Sequence, residues 1–207
     1  MKKVIDNYNT WAYQYDNNIN PTRDLDKIIT KQFLSKIDFF KVLELGCGSG
    51  KNSEWLISKA EKLVCLDFSK NMLDLARNKI KTDKVTFINA DLNEKWPVKN
   101  NAFDLVTINL VLEHIKILDH IFKSSFMKLA QGGKFFVCEL HPKKQLAGSR
   151  AQFEDNGVII ELDVFQHLEE DYIQSAEQAG FNLLAKEDWY DRKNDVPRLI
   201  SFLFEKP

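Results

Sequence analysis

The sequence is poor in the features that mark secreted, membrane-spanning or nucleic-acid-binding chains. Cysteine is scarce: three occur, at 47, 65 and 138, and no two have CxxC spacing. A sparse, odd set points to reduced thiols in a cytosolic setting rather than to a disulfide framework. Cys65 and Cys138 stand inside apolar runs, as core residues do. No apolar run approaches the roughly 18 residues that a membrane-spanning helix needs. The opening MKKVIDNYNTW has two lysines but no apolar segment of the secretory kind. A charge excess is missing too, since 29 basic and 30 acidic side chains leave a net charge of -1. Generic nucleic-acid binding rests on a basic excess and is not expected. There is no internal repeat, no low-complexity tract and no cluster with metal-ligand spacing. A cytoplasmic location is expected; a membrane, a nucleic acid or a metal is not.

What is present is an ordinary globular composition, 44% hydrophobic and 29% charged over 207 residues, long enough for one domain with a real core. After an aromatic-rich start, TRDLDKIITKQFLSKI repeats apolar residues at helical spacing. Strands and helices then alternate: KVLEL, KNSEWLISKA, KLVCLDF, SKNMLDLARNKI, KVTFINA, AFDLVTINL, ILDHIFKSSFMKLA and, after a Gln131-Gly132-Gly133 turn, KFFVCEL. Ser69 is placed to cap the second of these helices. Such alternation predicts an α/β fold, a parallel sheet covered by helices on both faces. The end differs. EEDYIQSAEQAG is a helix stopped by Gly180, and FNLLAKEDWY and RLISFLFEK follow as two strands with no helix between them. The last strand is therefore expected to run antiparallel. Residues 139–167 are the least regular, and GVIIELDVF predicts a strand outside the main sheet or a flap.

The chemistry is concentrated in LELGCGSGKNS. An ATP loop, GxxxxGK[ST], would need glycine where Leu45 stands and a hydroxyl where Asn52 stands. A dinucleotide loop, GxGxxG, would need glycine where Lys51 stands. The pattern present is an acid followed by GxGxG: Glu44, Gly46, Gly48 and Gly50. Lys51 reads as the first solvent-facing residue of the next helix. Asp67 ends the second strand, where an acid faces the ligand crevice, and Asp91 follows the third, where it also suits a turn or helix cap. FDLVTINLVLEHI ends the fourth strand and LAQGGKFFVCE spans the fifth.

With these motifs in order from Val42 to Glu139, the sequence resembles the class I S-adenosylmethionine-dependent methyltransferases. The resemblance implies a three-layer α/β/α sandwich with a seven-stranded, mostly parallel sheet of order 3-2-1-4-5-7-6 and strand 7 antiparallel. It implies S-adenosyl-L-methionine as methyl donor and S-adenosyl-L-homocysteine as product. By the same resemblance Glu44 organises the aminoacyl end, Asp67 takes the ribose hydroxyls, Asp91 takes the adenine amino group, and the Leu92 N–H meets the ring. Asn109 falls near the sulfonium. Tyr15, Cys47, Phe68, Met72 and Leu110 complete the expected cofactor contacts. The tetrad of amino-methylating base enzymes, the Pro-Cys pair of cytosine C5 enzymes and the double glutamate loop of arginine methyltransferases are absent. What remains is similar to the small-molecule branch near the ubiquinone and menaquinone type, where "EHI" after the fourth strand is familiar. Two other readings stay open from the residues alone: a non-catalytic cofactor-binding module and a NAD-dependent oxidoreductase.

A single domain over 1–207 is expected, with 1–38 as an N-terminal helical lid and 141–168 as a substrate-side flap. Tyr8, Trp11, Tyr13 and Tyr15 offer ring faces that suit a sulfonium, or they staple a helix to the sheet. His114, His141 and His167 are candidate general bases because histidine titrates near neutrality, whereas His120 reads as structural. Lys143, Lys144, Arg150 and Arg198 fall near the expected substrate mouth and suit an acceptor with an acidic group, with Tyr8 beside it. The acceptor is expected to be a small molecule.

Overall fold

The computed structural model describes residues 2–155, 157–191 and 195–207. Helices α1 (Lys2–Tyr15) and α2 (Pro21–Leu34) precede the alternating segment β1 (Lys41–Leu45), α3 (Ser53–Lys59), β2 (Lys62–Asp67), α4 (Lys70–Lys79), β3 (Val85–Asn89), β4 (Phe103–Asn109), α5 (Leu118–Lys128) and β5 (Leu129–Leu140). A short helix α6 (Pro142–Leu146) and a hairpin of β6 (Gln152–Asp155) and β7 (Val158–Glu161) follow. Then come α7 (Glu169–Ala179), β8 (Asn182–Trp189) and β9 (Leu199–Glu205). The main sheet has the order β3-β2-β1-β4-β5-β9-β8. β1 to β5 are parallel, and β9 is antiparallel to both β5 and β8. This is the expected topology. The hairpin strands lie outside the main sheet, so they shift the strand numbers without changing its order.

Local chemistry sets the element boundaries. Asn20 caps α2 by accepting the Arg23 N–H at 3.0 Å, with Pro21 at the first helical position, where its missing N–H costs nothing. Ser69 caps α4 through the Met72 N–H at 3.2 Å, and Gly180, at φ 100°, ends α7. One expectation fails. Gln131-Gly132-Gly133 is not a turn before the fifth strand; the strand already begins at Leu129. Gly132 donates its N–H to Lys206 O, and Lys206 donates back to Gly133 O. The glycines thus pair with the chain end, and a register irregularity opposite Phe103 and Leu105 absorbs the surplus, as a bulge does.

Both faces of the sheet are buried, because successive strand side chains alternate between them. Phe135 and Val137 join Leu43, Val106 and Tyr172 under α5 and α7. Phe136 and Cys138 join Ile29, Leu56 and Leu73 under α2, α3 and α4. A third, separate cluster contains no main-sheet residue. Val4 and Trp11 of α1 pack with Phe153 and Leu162 of the hairpin region, and the Trp11 and Phe153 rings stack at 5.0 Å. This small layer, tied to α4 by Ser69 Oγ donating to Asn9 Oδ1 at 2.7 Å, sits by the carboxyl ends of the strands. No helix among the described residues is long and apolar enough to cross a membrane.

Candidate functional site

The strand ends surround a largely apolar cavity. Its floor is the glycine loop, and steric exclusion explains the loop's composition. Gly46 has φ 67°, and a Cβ there would stand 2.3 Å from Val111 Cγ2. Gly48 has φ 53° with open space around it, which leaves a bare backbone surface facing the cavity. Every cofactor position named from the motifs lines this cavity except Gly50, which packs against Ala76 and Ile80 of α4 instead.

Four acids line the cavity in different states: Asp67, Glu44 and Asp91 at the strand ends, and Asp26 on α2. Asp67 accepts the Gly48 N–H on Oδ2 and the Ser69 N–H on Oδ1, both at 2.8 Å, while burial pushes its pKa up to about 6. Glu44 is buried beneath the loop, held by the Ser53 hydroxyl and by Cys65 Sγ at 3.6 Å, and burial pushes it to about 7. Asp91 accepts the Asn93 N–H and side-chain amide at 2.9 Å each, so it closes a turn while facing the cavity. Asn109 donates to Asp26 Oδ1 at 2.6 Å and to Thr30 Oγ1 at 2.9 Å. Leu110 follows at φ 56°, a left-handed conformation that costs a branched residue energy and is concentrated at functional sites.

Asp26 is a charged cavity residue that sequence patterns missed, as they missed Ser49, Lys51, Asn52 and Asn93. It is fully buried on α2, where Lys51 Nζ reaches its Oδ2 at 2.7 Å and Asn52 donates at 3.0 Å. Lys51 therefore does not face solvent as the first residue of a helix. It lies in the turn before α3, and its second bond goes to Arg23 O at 2.9 Å. A fully buried aspartate requires a cation, and Lys51 supplies it. The only sequence signal was an acid on the apolar face of an amphipathic helix.

The histidines separate. His114 lines the cavity, with Nε2 3.0 Å from Tyr8 Oη and Nδ1 3.2 Å from Asp163 O. The carbonyl requires Nδ1 to carry the proton, so Nε2 accepts from the Tyr8 hydroxyl. Burial lowers the His114 pKa and raises that of Tyr8 well above its ordinary value, which keeps both neutral. His141 does not reach the cavity. It caps α6 through the Lys143 N–H at 3.1 Å and faces Asp188 at 3.5 Å. His167 points elsewhere too, with Nε2 2.7 Å from Ile115 O and its ring edge-on to Tyr172. His120 lies on α5 with Nε2 3.3 Å from Glu94 O.

Tyr15 lines the cavity, but the Arg23 guanidinium already covers its ring, 4.1 Å from the centroid. A second, polar cavity adjoins the first, and Tyr8, Tyr15 and Leu110 line both. Arg23, Arg150, Arg198 and Glu113 line this second cavity; Lys143 and Lys144 do not. Arg198 is engaged with Asp191 at 2.6 Å and with Thr22 Oγ1 at 3.0 Å.

The glycine cradle and the acids at three successive strand ends suit a nucleoside carrying a zwitterionic tail. A family model described as a methyltransferase domain matches residues 43–137, the segment that builds this cradle. This segment is a methyltransferase domain, the chain is an S-adenosylmethionine-dependent methyltransferase, and S-adenosylmethionine is its methyl donor. The methyltransferase is 27% identical over 225 residues to an uncharacterised methyltransferase of Emericella nidulans, a match covering 88% of this chain and 77% of that one. It is 29% identical over 118 residues to the demethylmenaquinone methyltransferase of Clavibacter sepedonicus, where the match spans 55% of this chain and 46% of that one. The crystal structure of an S-adenosylmethionine-dependent methyltransferase from Clostridium acetobutylicum superimposes with a TM-score of 0.73 at 22% identity, over 96% of this chain and 98% of that one.

Proposed function

We propose that this methyltransferase acts on a small acidic molecule that enters through the polar cavity beside the donor site. The observation carrying the proposal is the shared wall: Tyr8, Tyr15 and Leu110 line both cavities, and three arginines line the second. Arg150 is exposed and has no hydrogen bond or ion pair among the described residues, so its charge is available to an anionic group. The likeness to demethylmenaquinone methyltransferases and to a ubiquinone biosynthesis O-methyltransferase supports a small acceptor.

The donor, when bound, supplies an electrophilic methyl group on a positively charged sulfur. In this reading Gly46, Cys47 and Gly48 pass under it without side-chain obstruction, and Gly50 secures the loop against α4. Glu44 and the Lys51–Asp26 pair organise its aminoacyl end. Asp67 exchanges its backbone bonds for the ribose hydroxyls, and Asp91 with the Leu92 N–H holds the adenine. Phe68 and Met72 pack against the nucleoside, and Asn109 and Leu110 border the reacting methyl. Residues 1–38 act as the lid, with the Tyr8–His114 contact at its hinge, and 141–168 act as the acceptor-side flap. Alignment and exclusion of water accomplish most of an in-line displacement.

Calorimetric titration with S-adenosylmethionine and S-adenosylhomocysteine tests the donor assignment residue by residue, with Asp67→Asn and Asp91→Asn expected to weaken both ligands. Unchanged affinity in both variants overturns the assignment. Arg150→Ala is expected to weaken the acceptor alone, and unchanged acceptor affinity removes its anionic group from the proposal.

A further inference from the structure

The histidine assignments leave a question that geometry answers. An O–H or N–H nucleophile has to lose a proton, yet both nitrogens of His114 are already engaged, and His141 and His167 do not reach the cavities flanking Tyr8. The neighbouring residue is different. Glu113 lines the polar cavity, is 6% exposed, and its Oε2 has no hydrogen-bond partner among the described residues. A buried carboxylate oxygen without a partner costs stability, and such groups persist where a ligand completes them.

The surrounding structure holds Glu113 in place. Glu139 on β5 accepts the Val111 and Leu112 N–H groups at 2.9 and 3.0 Å, which fixes the turn leading into Glu113. The Glu113 carbonyl accepts the Phe165 N–H at 2.7 Å, which ties that turn to the proposed flap. Burial brings the Glu113 pKa up to about 7, against the opposing pull of Gln145 on α6, which suits it to accepting a proton near neutrality. Its charged or titratable surroundings are His114, whose Nε2 is 3.9 Å away, Tyr8, Glu139, Tyr172 and the arginines of the cavity.

We propose that Glu113 is the catalytic proton acceptor for a hydroxyl or amine nucleophile held in the polar cavity, with Arg150 pairing an anionic group of the same molecule. This rests on the acceptor reading above. The bond from oxygen or nitrogen to methyl forms as the sulfur–methyl bond breaks, and sulfur keeps that electron pair. The O–H or N–H pair returns to the heteroatom, and the proton ends on Glu113 Oε2 before passing to solvent.

The test uses methyl-labelled S-adenosylmethionine with hydroxybenzoates, aminobenzoates and hydroxyphenylacetates, each paired with the amide that lacks its negative charge. Binding of the same compounds is read by calorimetry with S-adenosylhomocysteine present. The wild type is expected to label at least one acid on oxygen or nitrogen, and the matched amide roughly tenfold less. Glu113→Gln is expected to lose about 10²- to 10⁴-fold in labelling rate while acceptor and S-adenosylmethionine affinities hold, which also shows that it folds. Glu113→Asp is expected to recover part of the rate. Undiminished labelling by Glu113→Gln, label on carbon, or preference for the neutral amides overturns the proposal. So does a wild type that binds S-adenosylmethionine but neither binds nor labels any panel compound. Failure to bind S-adenosylmethionine instead overturns the donor-site reading on which both proposals stand.

Discussion

The donor cavity and the polar cavity beside it share three side chains but follow opposite rules. On the donor side every acid has a partner: Asp67 holds backbone N–H groups, Glu44 holds Ser53, and Asp26 holds Lys51. Each contact lies within one strand–loop–helix unit or between adjacent units of the sheet, apart from the link to α2. On the proposed acceptor side, among the described residues, Glu113 keeps an oxygen unpartnered and Arg150 carries an unpaired charge, and the walls come largely from α1, the start of α2, the loop after α6 and the hairpin. A donor common to a whole family can be met by a pre-satisfied, rigid site. In the proposed reading, a particular acceptor is met by groups left unsatisfied until it arrives.

Four perturbations sharpen this contrast. The largest effect is expected from Gly46→Ala on the donor side. A Cβ 2.3 Å from Val111 Cγ2, at φ 67°, combines overpacking with a left-handed penalty, about 4 kcal/mol in urea unfolding together with loss of donor binding. Next comes the pH dependence of Glu113. Its folded pKa, about 7, lies above its ordinary 4.5, so the folded state binds more protons between those values. The associated stability is present below about pH 4.5 and lost as pH rises through about 7. Glu113→Gln lacks this loss, so it should gain on the wild type by on the order of 3 kcal/mol between about pH 4 and pH 8 in urea midpoints. A parallel pair of curves would remove the acceptor side's strain from the comparison. Asp67→Asn should weaken S-adenosylmethionine by about 2 kcal/mol, roughly thirtyfold, with little change in stability, as calorimetry would read. The smallest effect belongs to Gly48→Ala, where a Cβ meets nothing and only its φ of 53° opposes the change, about 1 kcal/mol of stability.

The same contrast decided what could be read from the sequence. The sheet order and the residues that line the strand-end cavity were legible because they follow a local rule: a buried strand, then an acid or amide at or just past its carboxyl end. Glu44, Asp67, Asp91 and Asn109 all satisfy it. Asp26 does not, because its partner Lys51 is far away in sequence and meets it only through the packing of α2 on the sheet. The strand start at Leu129 was hidden because its glycines pair with Lys206 at the far end of the chain. Among the acceptor-side residues, histidine chemistry drew attention to His114, His141 and His167. Burial and an unpartnered oxygen, which no composition reveals, together with a place in the polar cavity's wall, single out Glu113 among the described acids.

Tyr8, Tyr15 and Leu110 stand in the walls of both cavities. Whatever occupies one cavity therefore meets side chains that also bound the other. With the acceptor in the second cavity, as proposed, the coupling would be reciprocal: each ligand would change the other's affinity by the same factor. Calorimetry of either ligand with and without the other reads that factor, and equal affinities would uncouple the two cavities.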